Sequence, residues 1–224
     1  MDIDSLWQGL GILFGSHPWH GVALGEPPYD VVSAFIEMVP TDTVKYELDK
    51  VSGLLRVDRP QKYSNVIPCL YGLLPKTLCA DRVAERGAAK VGRPLVGDGD
   101  PLDICVLTER TIAHGNVLVD AVPIGGLRMI DNGEADDKIV AVLRGDAAYG
   151  AFRNISDLPP AMLSRLRHYF LTYKQSPDIA SAACEIAEVY DQAEALEMIG
   201  RAVEDYRSKY SGLQAVLTEA IRRL

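Results

Sequence analysis

Residues 97–107 read Gly-Asp-Gly-Asp-Pro-Leu-Asp-Ile-Cys-Val-Leu, a loop with three carboxylates that leads directly into a β-type segment. Similar runs of β-branched and aliphatic residues lie on both sides of it, each closed by Gly, Pro or Asp, as is typical of short strands. The runs are Val31 to Glu37, Val44 to Leu48, Leu54 to Val57, Ile104 to Leu107, Val117 to Val122, Leu127 to Ile130 and Ile139 to Leu143. Six or seven strands without intervening helices predict a small antiparallel barrel or sandwich.

The residue pattern differs before and after these strands. Residues 1–30 contain many Gly and Pro residues, which predict an irregular N-terminal arm. A helix is predicted over about 158–174, where apolar residues recur at three- and four-residue spacing, and a second helix from Asp191 to Tyr210. Ser211-Gly212 is expected to break the chain after it. Strands first and helices last indicate an α+β fold.

Composition and charge exclude several classes of protein. The 224 residues include 31 acidic and 23 basic side chains, with a formal net charge of -8, and 48% are hydrophobic. This favours one compact globular domain and excludes bulk electrostatic binding to nucleic acid or anionic lipid, which would need a basic face. The four cysteines are scattered, no basic n-region precedes the first apolar stretch, and no apolar run approaches a bilayer span. We therefore expect a cytoplasmic protein.

The negative charge is concentrated in one segment. Between residues 98 and 137 there are nine acids and two bases, a surplus of seven negative charges. Most of the acids lie in two turns, 97–103 and 131–138. Crowded carboxylates repel one another unless a cation neutralises them, and oxygen ligands select hard divalent ions such as Mg²⁺, Mn²⁺ or Ca²⁺.

Three interpretations of these turns compete. Asp and Gly are common in solvated turns, so a single turn needs no ligand. A calcium loop fits positions 1, 3 and 12 of an EF-hand, but Leu102 and Asp103 occupy positions that require a ligand and a glycine. The third interpretation is a site with several Mg²⁺ ions for phosphoryl transfer, which needs basic partners for phosphate.

Basic partners are present in the sequence. Lys45 and Glu47 alternate on one predicted strand and so share a face, and Arg59 follows the next strand. Lys138 begins the strand after the second acidic turn, and Tyr173-Lys174 ends the first long helix. Composition and spacing thus indicate a Mg²⁺-dependent, phosphate-related site and go no further.

An ordered set of motifs carries a resemblance to a known family. The set is Glu37, Lys45-Tyr46-Glu47, Val57-Asp58-Arg59, Pro68-Cys69-Leu70-Tyr71-Gly72, Asp98-Gly99-Asp100-Pro101-Leu102-Asp103, Asp131 through Lys138, and Tyr173-Lys174. It strongly resembles the soluble family I inorganic pyrophosphatases of bacterial type, to which the D-G-D-P-x-D signature is specific. The resemblance implies a small closed antiparallel β-barrel (OB-like) with C-terminal helices packed beside it.

The same resemblance implies a function and an organisation. The function is Mg²⁺-dependent hydrolysis of inorganic pyrophosphate to two phosphates by a metal-activated water, with Mn²⁺ as a substitute ion, in a homo-oligomer. The organisation is the arm 1–30, a pyrophosphatase barrel domain 31–176 with an insertion 79–96, and a C-terminal helical extension 177–224. Neither nucleic acid nor membrane is an expected partner.

Matching residues give the expected roles. The implied metal ligands are five aspartates with two glutamates as outer members: Asp98, Asp100, Asp103, Asp131, Asp136, Glu37 and Glu47. Asp100 matches the general base toward the metal-bound water. The implied phosphate-binding groups are Lys45, Arg59, Tyr71, Lys138, Tyr173 and Lys174. Of these, Arg59, Tyr71 and Lys138 join Asp100 as the expected catalytic set.

Two departures from the family pattern bear on function. Ile67 stands where many bacterial members carry a tyrosine, so either phosphate binds less tightly or another group substitutes. The insertion 79–96 contains four basic residues and is open to three interpretations, a lid, a subunit contact or a solvated surface excursion. These departures are the features that favour the rival hypothesis, a catalytically silent OB-type binding module that keeps the metal site for structure.

Overall fold

The computed structural model describes residues 17–62, 65–174 and 184–223. The strands in these ranges are β1 (Val32–Met38), β2 (Val44–Leu48), β3 (Leu55–Pro60), β4 (Leu70–Leu73), β5 (Val96–Gly97), β6 (Asp103–Leu107), β7 (Val117–Asp131), β8 (Glu134–Ala135), β9 (Lys138–Leu143) and β10 (Cys184–Asp191). The helices are α1 (Asp81–Val91), α2 (Pro160–Thr172) and α3 (Gln192–Arg223). Within the described ranges none of the helices has the length and hydropathy of a membrane span.

Eight strands form one mixed sheet, and β2 with β3 forms a separate hairpin. Five strands pair in the order β1-β4-β6-β9-β7. Strand β7 also pairs with β1, so the last strand of this series is hydrogen-bonded to the first. The expectation of a purely antiparallel sheet is wrong, because β6 and β9 run parallel. The long strand β7 lies between them in sequence and carries the chain back across the sheet before β9 begins.

The sheet is covered on both faces, as its alternating side chains require. Ile104 and Ile139 belong to one buried cluster, which is completed by residues of α1 and α3. Cys105 and Val140, their neighbours in sequence, belong to a second buried cluster that includes the apolar face of α2. The helices therefore pack beside the sheet, as the α+β reading predicted.

Most predicted strands are present, with one merger. The expected strands 117–122 and 127–130 are a single strand, β7, whose register shifts between Pro123 and Gly125. Gly125 has a φ of +156°, and a Cβ there would lie 2.4 Å from the carbonyl oxygen of Tyr190. The residues between the two predicted strands thus form a bulge in one continuous strand.

The C-terminal region differs from the predicted helical extension. Its described part begins with β10, which pairs along β7 and so belongs to the sheet. Helix α3 follows directly and continues through Gly212, so the expected break at Ser211-Gly212 is wrong. One glycine lowers helix stability by only about 1 kcal/mol, which neighbouring turns can offset. Residues 1–16 of the expected arm lie outside the described residues, and 17–31 form turns without helix or strand.

The insertion 79–96 forms helix α1 and the short strand β5. Val83 and Ala84 are buried against α3, and Arg82 forms a 3.1 Å ion pair with Asp205 of that helix. The interpretation as a solvated excursion is therefore wrong for α1, because its basic side chains face acids of α3 and β10.

Candidate active site

Two adjoining cavities form a cleft at the start of β6 and β9. They measure about 80 and 90 Å³, and Lys45, Tyr71 and Asp103 line both. Four more of the predicted acids line the first cavity: Glu37, Glu47, Asp98 and Asp100. The second cavity is lined in addition by the predicted phosphate-binding residues Lys138 and Tyr173. The cleft therefore has an acidic half and a basic, aromatic half.

The parallel pairing explains why distant motifs meet here. Asp103 and Lys138 are the first residues of β6 and β9 and lie opposite each other in register. Strand β5, at the entry to the first acidic turn, pairs with β8 in the second, with Gly97 beside Ala135. The two acidic turns are thus held side by side by main-chain hydrogen bonds.

The first acidic loop is fixed by its own backbone. The Asp98 carboxylate accepts the Asp100 N–H at 2.8 Å, and the Asp100 carbonyl accepts the Cys79 N–H at 2.8 Å. A Cβ on Gly97 would lie 2.4 Å from the Cys79 carbonyl oxygen, so only glycine fits at this crossing. The start of the insertion therefore holds the loop in place.

Lys138 lies at the centre of the site. Its ammonium group contacts the carboxylates of Asp103 and Asp136, and it is only 2% exposed. The Tyr71 hydroxyl donates to Asp103 at 2.5 Å. Burial lowers the pKa of Lys138, but the two carboxylates outweigh burial and hold this pKa well above its ordinary value. Lys138 therefore stays positively charged.

Two further lysines neutralise predicted metal ligands. Lys174 contacts Asp131, which brings the end of α2 to the second acidic turn. Lys50 contacts Asp100 and lines the acidic cavity. Sequence reasoning missed Lys50, because only the folding of the β2–β3 hairpin over the loop shows that its turn reaches the cleft.

Two carboxyl groups that line the cleft, the buried Glu37 and the partly exposed Asp98, form no ion pair within the described residues. Glu37 accepts the Leu48 N–H at 2.7 Å, and burial, then the nearby Asp103 charge, raises its pKa to about 8. Burial also raises the pKa of Asp98 to about 7, against the opposing hydrogen bond from the Asp100 N–H. A nearby cation favours the ionised form of such groups.

The donor set fits a hard divalent cation. All predicted ligands are carboxylates, the donors that Mg²⁺ prefers. In the described part of the chain, no three His, Cys, Asp or Glu side chains are already arranged as a metal cluster. Lys138, Lys174 and Lys50 contact four of the predicted ligands, Asp103, Asp136, Asp131 and Asp100.

The phosphate-binding candidates cluster around Tyr173. The Arg59 guanidinium lies 5.9 Å from the centre of its ring, and the Lys174 ammonium 5.4 Å. Lys45 reaches Glu47 at 3.0 Å and Asp58 at 3.2 Å. Burial holds the pKa of the Tyr71 hydroxyl well above its ordinary value and also raises that of Tyr173, so both remain hydrogen-bond donors.

Ile67 occupies a decisive position in the second cavity. It is 1% exposed and lies beside Tyr71 and Tyr169, which line the same cavity. Tyr169 accepts a hydrogen bond from the Gln61 amide at 3.3 Å, and its ring stacks on Tyr173 with centroids 5.2 Å apart. The sequence placed Tyr169 only on the apolar face of a helix. The structure shows that it also lines the cavity that contains Ile67, together with Tyr71 and Tyr173.

Comparisons with known proteins show the family to which the chain is similar. A family model described as inorganic pyrophosphatase matches residues 34–207. An inorganic pyrophosphatase from Chlamydia muridarum is 53% identical over 195 residues, covering 85% of this chain and 93% of its own. The soluble inorganic pyrophosphatase of Oryza sativa subsp. indica is 37% identical over 182 residues, covering 81% and 77%.

Solved structures show the same likeness. The crystal structure of inorganic pyrophosphatase from Thermus thermophilus superimposes with a TM-score of 0.71 and 26% identity, over 86% of this chain and 99% of that chain. The type I inorganic pyrophosphatase from Toxoplasma gondii gives a TM-score of 0.73 at 25% identity, over 84% and 86%. The family match extends past Lys174 to residue 207 and so includes β10 and half of α3, which sequence motifs left outside the resemblance.

Proposed function

Because the chain belongs to the inorganic pyrophosphatase family, we propose that it hydrolyses inorganic pyrophosphate to two phosphates with Mg²⁺ and a metal-activated water. The observation that supports this most strongly is the meeting of both acidic turns with Lys138 at the start of two parallel strands. A site with a surplus of carboxylates and a rim of lysines, arginine and tyrosines suits cations and a small polyanion together.

The residues that would hold Mg²⁺ come from both turns. They are Asp98, Asp100, Asp103, Asp131 and Asp136, with Glu37 and Glu47 as outer members. Bound Mg²⁺ supplies charge neutralisation and a water that loses its proton near neutral pH, and Mn²⁺ can replace it. The partner-free carboxyls Glu37 and Asp98 support this assignment, since a cation offsets the cost of their burial.

Asp100 accepts the proton of the attacking water at a carboxylate oxygen. The water oxygen bonds to one phosphorus, the bridging P–O bond breaks, and its electron pair leaves with the second phosphate. Lys138, Arg59 and Tyr71 face the charge that develops on the leaving group, while Lys45, Tyr173 and Lys174 bind and orient the phosphates. Catalysis is then mainly electrostatic stabilisation by groups already in place.

The architecture and setting are proposed on the same basis. The ring of five paired strands is a small closed barrel of OB type, carried by a domain 31–176 with the extension 177–224. The chain is a homo-oligomer that works in the cytoplasm on pyrophosphate and phosphate, without nucleic acid or membrane partners. The continuous pairing of β1 with both β4 and β7 supports the barrel.

A phosphate-release assay with metal titration tests the proposal. Purified protein should release two phosphates per pyrophosphate when Mg²⁺ is added, and none after chelation. Calorimetry on the same sample measures pyrophosphate binding separately. Binding without turnover in Mg²⁺ or Mn²⁺ would contradict the proposed activity and favour the silent binding module, which Ile67 and the insertion 79–96 favoured in the sequence.

A further inference from the structure

A buried cluster of charges lies behind the candidate site. We name it the Arg128 cluster; its members, on α1, β7, the turn before β9, β10 and α3, are Arg86, Arg128, Asp137, Glu188, Tyr190 and Glu194. Arg128 is fully buried, and its guanidinium donates to Glu188 at 3.0 Å and to Glu194 at 2.5 Å. Arg86 donates to the same Glu194 at 2.5 and 3.0 Å. The cluster therefore joins the insertion helix to the sheet.

Asp137 connects the cluster to the site. It stands between Asp136 and Lys138, where the second acidic turn enters β9. Successive side chains along extended backbone point to opposite sides, so Asp136 and Lys138 face the cleft while Asp137 faces the interior. There it accepts a hydrogen bond from the Tyr190 hydroxyl at 3.2 Å, and the Arg128 guanidinium lies 5.0 Å over the Tyr190 ring.

Arg128 and Asp137 each keep one unpaired atom. Arg128 Nη1 and Asp137 Oδ1 are buried and form no hydrogen bond within the described part of the chain, while Nη1 lies 3.9 Å from Asp137 Oδ2. A buried charged atom without a partner costs free energy, and a bridging water is the usual remedy. Because the two unpaired atoms belong to neighbouring residues of opposite charge, a hydrogen bond through one bridging water would satisfy both.

The main chain supports the same connection. Lys138 lies opposite Leu127 in the β7–β9 ladder, and the Asp136 N–H donates to the Met129 carbonyl at 3.0 Å. Arg128 is thus placed between the two residues of β7 that hold the turn. Any tilt of the turn would move Asp136 and Lys138 relative to the cleft.

We propose that Arg128 is a positioning residue that acts through Asp137 to fix the orientation of Asp136 and Lys138, and so sets the affinity of the site for Mg²⁺. This inference rests on the proposed function, since Asp136 is one of its metal ligands. Arg128 touches neither metal nor substrate. The cluster also gives the insertion a role, because Arg86 of α1 shares Glu194 with Arg128.

A purely structural role is the alternative, and a double-mutant cycle separates the two. The variants are Arg128→Lys, Asp137→Asn and the double variant, each folded as the full chain and measured by calorimetry with Mg²⁺. We expect each single substitution to weaken Mg²⁺ binding about tenfold, equivalent to about 1.4 kcal/mol. If Arg128 acts through Asp137, the double variant binds Mg²⁺ no more weakly than the weaker single variant.

Two further variants complete the test. Tyr190→Phe removes one hydroxyl and no charge, and should weaken Mg²⁺ binding severalfold; it also decides the case if Arg128→Lys does not fold. Asp146→Asn is the matched control, a buried aspartate beyond the opposite end of β9 whose carboxylate accepts hydrogen bonds from Thr108, Glu109, Ala148 and Tyr149, none of which lines the cleft. It should lower the melting temperature and leave Mg²⁺ affinity unchanged.

The outcomes are distinguishable. Additive losses in the cycle would overturn the action through Asp137. Unchanged Mg²⁺ affinity in Arg128→Lys and Tyr190→Phe, with lowered melting temperatures, would assign the cluster to stability alone. In both cases wild-type phosphate release with Mg²⁺ would leave the proposed function standing, whereas an inactive wild type would contradict the proposed function itself.

Discussion

Glu37 in the cleft and Glu194 in the Arg128 cluster are both buried glutamates, 5% and 8% exposed, yet their pKa values move in opposite directions. Burial raises the pKa of Glu37 to about 8. Burial also disfavours ionised Glu194, but hydrogen bonds from Arg86 and Arg128 outweigh it and lower this pKa to about 2. Within the described residues, the glutamate in the cleft thus has no cationic partner, whereas the glutamate in the Arg128 cluster is paired with two arginines.

This difference separates carboxyl groups that need a cation from solution from carboxyl groups that are already paired within the protein. The Arg128 cluster supplies its own cations, and Glu194 needs no ligand. The cleft contains more carboxylates than its lysines can neutralise, so part of its charge is left for ions from solution. The candidate metal site therefore differs from the rest of this acidic chain in one respect: its carboxylates outnumber the cationic side chains that pair with them.

The largest expected effect is on catalysis. Asp100→Asn should reduce phosphate release at least 100-fold, because the amide cannot accept the proton of the attacking water. Asp146→Asn is the control for an equal change in a buried turn and should retain near wild-type activity. Both variants are compared in the phosphate-release assay at saturating Mg²⁺. Full activity in Asp100→Asn would remove its assignment as general base.

The second-largest expected effect is on stability and tests the difference between Glu194 and Glu37. In the presence of a chelator, Glu194→Gln should lower the free energy of unfolding by about 3 kcal/mol, since it leaves the buried Arg128 and the partly exposed Arg86 without their shared carboxylate. Glu37→Gln should cause no such loss, because it replaces a carboxyl that burial already keeps largely neutral. Urea denaturation of both variants measures the contrast; equal losses would mean that the two glutamates are not differently paired.

The same pair predicts opposite pH dependences. The lowered pKa of Glu194 contributes stability that is complete above its unfolded value of 4.5 and is lost as the pH falls toward 2. The raised pKa of Glu37 contributes in the other direction: stability is complete below 4.5 and declines as the pH rises through about 8. Unfolding experiments with chelator from pH 3 to 9 should show the gap between wild type and Glu194→Gln narrowing in acid. A gap independent of pH would be inconsistent with the ion pairs.

The smallest expected effect concerns substrate affinity. Ile67→Tyr should lower KM for pyrophosphate about threefold by adding a hydrogen-bond donor to the second cavity. Tyr169→Phe tests whether a hydroxyl already present fills that role, and it should raise KM by a similar factor. If Ile67→Tyr has no effect while Tyr169→Phe does, the neighbouring tyrosine has replaced the missing one.

The sequence anticipated which charged residues lie together better than it anticipated the sheet. Asp98 through Asp103 were grouped with Lys138 by the density of acids in two turns and by the family motifs, and the structure pairs Asp103 with Lys138. Strand β10 was missed because a register shift between Ile186 and Glu188 interrupts its alternation. Strand β4 was also missed, because it has only four residues and one of them is Gly72. This glycine lies against the Phe35 carbonyl, where no side chain fits.

Two functional features depend on tertiary structure alone. Helix α1 buries a narrow stripe of small residues, which local periodicity does not distinguish from a surface excursion. The pairing of Arg128 with Asp137 joins residues on different strands, and neither has a local pattern that indicates burial. Local sequence patterns therefore indicated a phosphate-related site with divalent cations. Which charged side chains are paired and which are not could be seen only in the fold.

Direct measurement of Mg²⁺ binding tests the central claim, that the two acidic turns form one metal site. Calorimetry compares wild type with Asp98→Asn in the first turn and Asp131→Asn in the second. The account predicts Mg²⁺ binding by the wild type and at least about tenfold weaker binding in each variant, since both turns supply ligands. Wild-type Mg²⁺ affinity in either variant, or no binding by the wild type, would contradict it.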